Sequence, residues 1–376
     1  MNAPALDAGA AAALFALQAA PASVTPYGNG HINDTFLVTC AGGAVPPQRF
    51  VLQRINTHVF KDPLAVMANI SAVTRHLRER LVLDGVAHPG RHAPSLVPAR
   101  DGRDYAIDTE GGVWRTFDYV EGVTLDASTG PAAAREAARA FGRFQRQLSD
   151  YTGPRLAYTI PRFHDTPDRL ARFEEALRED RHGRARVARA EIEALLSRAP
   201  LASSLAEHAA RGVLPERVVH NDTKINNVRF SASGEAVCVI DLDTVMPGLA
   251  LHDFGDLLRS AAATAAEDER DLSRVAADPE IVSALAEGYL SEARAFLTPN
   301  ETAALLLSGH VMVYQQALRF LTDHLNGDRY FRVHREGHNL DRSRTQLRLL
   351  ESLEAQRDDL EARVAAEVER VGARRT

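Results

Sequence analysis

The chain has 376 residues, a length that fits two domains or lobes rather than one compact core. Hydrophobic residues make up 45% and charged residues 25%, the composition of a globular protein, which excludes a disordered or membrane-spanning chain. A formal net charge of -6 with no dense basic run gives no electrostatic footprint for nucleic acid or an anionic membrane, so an anionic ligand must be handled by a local site.

Residues 8–23, AGAAAALFALQAAPAS, superficially resemble a signal peptide. Nothing basic precedes them, Asp7 stands ahead of them and the first arginine is Arg49, so the reading is an amphipathic opening helix of a cytoplasmic protein. Cys40 and Cys238 are the only cysteines, each beside strand-like apolar residues, and read as two buried thiols. From Tyr27 the sequence alternates between apolar runs and Gly/Pro turns, which predicts an antiparallel meander. Residues 62–82 carry Leu64, Met67, Ile70, Val73, Leu77 and Leu81 at helical spacing, with Asp62 as cap and Pro63 in the first turn. Two or three further strands follow up to Gly122, so residues 23–119 form a small sheet with one main helix. Beyond that point helices are expected over 131–149, 167–180, 184–199, 201–211 and several times between 267 and 325, with a terminal helix from Asp341 packed on the same lobe. The division is a lobe of residues 1–119 and a lobe of residues 120–376. No feature calls for an oligomer.

The helical region is interrupted at 217–243 by RVVHNDTKINNVRFSASGEAVCVIDLD, short apolar strands flanking polar loops. Phosphoryl transfer needs a carboxylate near the acceptor hydroxyl, oxygen ligands for a divalent cation and positive charge for the moving group. This segment offers all three. His220, Asp222 and Asn227 satisfy the H-x-D-x-x-x-x-N pattern of protein-kinase-like catalytic loops, and Asp241 follows at the end of an apolar run. Only two of the 44 basic side chains are lysines, Lys61 and Lys224. Lys224 lies two residues after Asp222, where a compact ammonium can reach the γ-phosphate as a point charge. Asp253-Phe254-Gly255 spells another kinase motif, but Asp253 is 31 residues beyond Asp222, against 19 for Asp241, and reads as a helix cap that braces the catalytic loop. His220 reads as a packing support of that loop.

The stretches GNGHINDTFLV, VLQRINTHVFKDP, HNDTKINNV and VIDLDTVMPG together resemble the aminoglycoside phosphotransferase and choline kinase-like family, and within it the N-acetylhexosamine 1-kinases, over residues 25–335. The resemblance implies an α+β, two-lobed protein-kinase-like fold, a small antiparallel sheet lobe beside a larger helical one. It further implies transfer from ATP with Mg²⁺ to a small hydroxylated molecule, most specifically the anomeric hydroxyl of GlcNAc or GalNAc. By position Asp222 is then the base, with Asn227 and Asp241 on the metal and Asp243 as the second candidate ligand. Gly28 and Gly30 would approach the phosphates, with His31, Asn33 and Asp34 reaching nucleotide or sugar, and Asp118 to Val120 would form the adenine hinge.

One departure stands out. The third-strand lysine that pairs with nucleotide phosphates in protein kinases is missing: Gln53 occupies its place and Arg54 follows. Arg54 or Lys61 is the expected substitute, and Glu79 a guessed carboxylate partner. For the acceptor, Gln315, Arg319 and Thr322 or Asp323 fall on one helical face, with Arg319 the first choice and Asp323 beside it. Other acceptors, such as another sugar, choline, homoserine or an aminoglycoside, keep the same chemistry; a nucleotide-binding pseudokinase is the alternative of a different class.

Overall fold

The computed structural model describes residues 7–28, 32–41, 47–127 and 129–373. The opening helix is far shorter than its alanine content suggests: α1 spans only Ala8–Ala12, capped by the Asp7 carboxylate. The chain then turns into β1 (Pro21–Pro26), β2 (Asp34–Cys40) and β3 (Arg49–Arg54), the expected meander. Helix α2 (Pro63–Leu83) starts on Asp62, whose side chain accepts from the Ala65 N–H, with Pro63 in the first turn. Strands β4 (Ala106–Ile107) and β5 (Val113–Asp118) complete an antiparallel sheet of order β1-β2-β3-β5-β4.

The two faces of this sheet have different surroundings. One face, with Val38, Phe50, Leu52 and Trp114, is buried against α1 and Phe15 as a small separate core. The other presents two cross-strand rows, Thr35–Gln53–Arg115 and Leu37–Val51–Phe117. Helix α2 does not share the small core. Its buried residues Val66, Met67, Ile70, Val73, Leu77 and Leu81 merge with the core of the helical lobe, and Asn69 ties it there by donating to the carbonyls of Ala157 and Val245.

The larger lobe contains α3 (Pro131–Leu148), α4 (Thr166–Glu179), α5 (Arg189–Leu196) and α6 (Pro200–Ala210). It continues with strands β6 (Arg217–Val219), β7 (Val228–Phe230), β8 (Ala236–Val239) and β9 (Met246–Gly248). Helices α7 (Ala250–Ala261), α8 (Pro279–Ala293), α9 (Pro299–Ala303), α10 (Leu305–Leu325), α11 (His338–Ala355) and α12 (Arg357–Ala373) complete it. The single terminal helix expected from Asp341 is two helices, and their Leu347, Leu350, Leu353, Leu360 and Val364 are buried on this lobe. Cys40 and Cys238 are both buried and free. Among the described residues no helix is long and apolar enough to cross a membrane.

Candidate active site

Two short antiparallel pairs set the site. β6 pairs with β9, Val219 opposite Met246, and β7 pairs with β8, Val228 opposite Val239. The loop 220–227 leaves the first pair and enters the second. At its far end the Ile240 N–H donates to the Asn227 carbonyl at 2.9 Å, which brings Asp241 beside Asn227.

The loop is braced from behind. Asp253, 1% exposed, accepts from the backbone N–H groups of His220 at 2.9 Å and Asn221 at 2.7 Å, and from Gln145 Nε2 at 2.6 Å. It therefore braces the catalytic loop as expected, although it caps no helix: α7 begins without a side-chain cap. Asp256 accepts from the Thr223 N–H at 3.1 Å and is paired with buried Arg259. His220 is fully buried, packs edge-on against Phe141 and Phe144, and bonds through Nε2 to the Ile240 carbonyl at 3.0 Å. These contacts occupy it structurally. Asn221, left-handed at φ 65°, turns the chain so that the next residue faces the cleft.

That residue is Asp222. Its Oδ1 lies 3.0 Å from Lys224 Nζ, and its Oδ2 accepts from Asn227 Nδ2 at 3.1 Å. Burial opposes ionisation, but the ammonium of Lys224, by charge and hydrogen bond, outweighs it and holds the Asp222 carboxyl below its ordinary range. Asp222 in turn raises Lys224. The two are poised as carboxylate and ammonium. Because Nδ2 of Asn227 points at Asp222, its amide oxygen is the end free for a cation.

Asp241 and Asp243, two residues apart, have separate fates. Asp243 is 3% exposed, ion-paired with Arg115 of β5 and hydrogen-bonded by Asn33 Nδ2. Asp241 adopts φ 61°, a left-handed conformation in which Asp is one of the better-tolerated residues, and opens to the cleft. Although its side chain reaches solvent, the protein crowded around it limits hydration of the charge, and this, with the carboxylates of Asp243 and Asp222 close by, pushes its carboxyl up to about 7. The Asp241 carboxylate, which makes no ion pair among the described residues, and the Asn227 amide oxygen suit a hard divalent cation. Among the described residues no group of three or more His, Cys, Asp or Glu is arranged to hold a metal, so Asp241 and Asn227 would need phosphate oxygens and water to complete the shell, as Mg²⁺ sites commonly do.

On the sheet lobe, Gly28 has φ 76°, while Gly30 and His31 lie outside the described residues. Asn33 is engaged by protein at both ends, donating to Asp243 and accepting from the Asn56 N–H at 2.9 Å. Gln53 accepts from Arg115 Nε at 3.0 Å and donates to Thr35 at 3.1 Å. Arg54 and Asp34 are register partners one residue out of phase with Gln53, so they belong to the opposite face. Arg54 stands over Trp114 with Asp108 and Glu110 each at 3.9 Å. Lys61 and Glu79 are exposed. The buried cation of the cleft face is Arg115, which sequence reasoning missed; an arginine in phase with Val113 and Phe117 inside the apolar strand VWRTFD was the available signal. At the hinge, the N–H groups of Asp118 and Tyr119 donate to Ser95 and Arg49 carbonyls, whereas the Val120 N–H and carbonyl have no partner among the described residues.

On the acceptor side, Phe163 and His164 connect the catalytic loop to α10. His164 Nε2 bonds to the Asn221 carbonyl at 2.8 Å and its Nδ1 meets Gln315 Nε2 at 2.9 Å. Burial first, then nearby Arg319 and Arg169, depress this imidazole to about 3, so it is neutral. One turn beyond Gln315, Arg319 is surrounded by the rings of Phe163, Tyr330 and Phe331 and lines a cavity of about 320 Å³ with Arg169, Arg172, Thr322 and Asn326. Asp323 is not free to bind a ligand as expected: its carboxylate accepts from the N–H groups of Arg329, Tyr330 and Phe331 and from Asn339, which shapes the loop carrying the two rings.

With this geometry in place, comparison with known proteins is informative. Residues 23–298 match the sequence model of the phosphotransferase enzyme family. An aminoglycoside phosphotransferase from Alicyclobacillus acidocaldarius subsp. acidocaldarius DSM 446 aligns at TM-score 0.60 and 16% identity over 99% of this chain and 98% of its own. A choline kinase from Cryptosporidium parvum Iowa II aligns at 0.56 and 14% over 92% and 93%. An amicoumacin kinase in complex with AMP-PNP, Ca²⁺ and Ami aligns at 0.55 and 14% over 90% and 91%. At such identities the likeness is one of fold, and the antiparallel sheet and the helical region described above are consistent with an α+β, two-lobed shape.

Proposed function

Because this chain belongs to the phosphotransferase enzyme family, we propose that it transfers the γ-phosphoryl group of ATP to a hydroxyl of a small molecule, with the anomeric hydroxyl of an N-acetylhexosamine as the first candidate. The observation that carries the reading is the grouping of Asp222, Lys224, Asn227 and Asp241 on one braced loop and the adjoining turn. Asp222, kept ionised, accepts the acceptor's proton as its oxygen attacks. Lys224, half-exposed beside it, contacts the transferred group. Asp241 and Asn227 would hold a divalent cation, which would supply charge neutralisation to the nucleotide phosphates. The amicoumacin kinase complex supports ATP with a divalent cation as the cofactor pair, and Mg²⁺ is the proposed ion. The apolar row Leu37–Val51–Phe117 and the free Val120 backbone suit an adenine ring and its edge.

The cavity beside Arg319 suits a neutral, hydroxyl-rich acceptor. Its three arginines, Arg169, Arg172 and Arg319, are balanced by Glu175, Glu179 and Asp323, and its guanidinium, hydroxyl and amide groups among aromatic rings suit hydroxyls and an acetamide. The resemblance of four motifs to N-acetylhexosamine 1-kinases points the same way. ADP release with MgATP and a panel of GlcNAc, GalNAc, glucose, choline and kanamycin tests the reading. Turnover with the N-acetylhexosamines is expected; turnover with choline or kanamycin in their place would reject the sugar.

A further inference from the structure

We infer that Arg115 is a positioning residue that holds the metal-binding turn of the helical lobe in register with Gln53 of β3 and Asn33 at the entry to β2, in a site that lacks the third-strand lysine of protein kinases. The inference rests on the kinase reading above. Arg115 is 1% exposed, so it does not touch ligand; it acts through its partners. Its Nη1 donates to Asp243 and its Nε to Gln53. Asp243 also binds Asn33 at the entry to β2, and Asn33 accepts from the Asn56 N–H beyond β3. One guanidinium therefore links the end of β3 to the turn 241–244 directly and, through Asp243, reaches Asn33 at the entry to β2.

The missing lysine follows from this arrangement. Gln53, itself half-buried, is the register partner of Arg115, and a lysine there would set a second cation directly opposite the first. An amide instead accepts from Nε and passes its own donor to Thr35. A buried ion pair is weak support for stability as such, since well-packed apolar residues often serve as well, and its better-attested use is to specify one register. Here the register concerns function. Asp243 sits in the short helical turn 242–244, whose first flanking residue is Asp241 at φ 61°. Anchoring Asp243 to β5 fixes that turn, and with it the direction in which the Asp241 carboxylate leaves the chain.

The test is binding of AMP-PNP to the full chain by calorimetry, with and without Mg²⁺ and with no acceptor, alongside a melting curve. Arg115→Met should weaken binding in Mg²⁺ by tenfold or more and change metal-free binding far less. Asp243→Asn should show the same pattern, and the double variant should be no worse than either, because both break one link. If Arg115→Met does not fold, Arg115→Lys keeps the charge but cannot bridge Gln53 and Asp243 together, and should lose severalfold in Mg²⁺ alone. Folded variants with wild-type affinity in Mg²⁺, or equal losses with and without it, would overturn the inference. Absence of MgAMP-PNP binding by the wild-type chain would instead overturn the kinase reading on which it rests.

Discussion

The catalytic loop and the cleft face of the sheet perform complementary parts of one site, yet they are built on opposite principles. The loop 220–227 is assembled almost entirely within a single stretch of chain and locked from behind by Asp253 and Asp256. The face carrying Gln53 and Arg115 depends on partners 62 and 128 residues apart in sequence. A local motif can be recognised from spacing, because each role maps onto a fixed offset. A charge that migrates from one strand to its neighbour keeps the geometry of the site and loses the offset.

Substitutions should separate the two regions: the loop acts on turnover and the sheet on binding. The largest effect is expected at Asp222. Asp222→Asn keeps the shape but removes the proton acceptor, and should lower kcat by about 10³-fold while AMP-PNP binding stays within a few-fold. A variant that turns over at the wild-type rate removes Asp222 as the base.

Lys224→Ala should come next, with kcat down by roughly 10–100-fold. It also carries a pH signature. Lys224 is what holds the Asp222 carboxyl low against its burial, so without it that carboxyl rises and the acid limb of kcat/KM moves to higher pH. An unmoved limb would separate Lys224 from the base.

Asp241 should set the pH dependence of metal activation. The cleft walls around it and its carboxylate neighbours raise it to about 7, so it is protonated below that pH and must lose the proton to bind a cation. The half-saturating Mg²⁺ concentration should rise by about tenfold per pH unit below 7 and flatten above it. A flat profile throughout would assign the metal elsewhere. The smallest effect belongs to the sheet: Gln53→Leu removes an acceptor from Arg115 and should raise the KM for ATP about fivefold with kcat unchanged, as for a buried polar contact of about 1 kcal/mol.

The legibility of the sequence follows the same division. The meander, α2 with its Asp62 cap, the paired strands around the loop and the brace at Asp253 were all readable, because caps, turns and periodicity act over a few residues. The opening helix was misjudged in extent: its alanines favour helix locally, but Phe15 and Pro21 onward are drawn into the sheet and its small core. Asp323 and Arg54 carried suitable chemistry, but a loop backbone claimed the first, and the second points to the opposite face of the sheet, against Trp114 and Asp108. Arg115 went unseen because its meaning lies in Asp243, across the cleft.

The most direct measurement is phosphorus NMR of the purified chain with MgATP and GlcNAc or GalNAc, since it reads donor, product and attacked hydroxyl together. A growing sugar 1-phosphate resonance matched by loss of the ATP γ-signal is the predicted result. Intact ATP with these sugars, together with a phosphate ester of choline or another cationic acceptor under the same conditions, would contradict it.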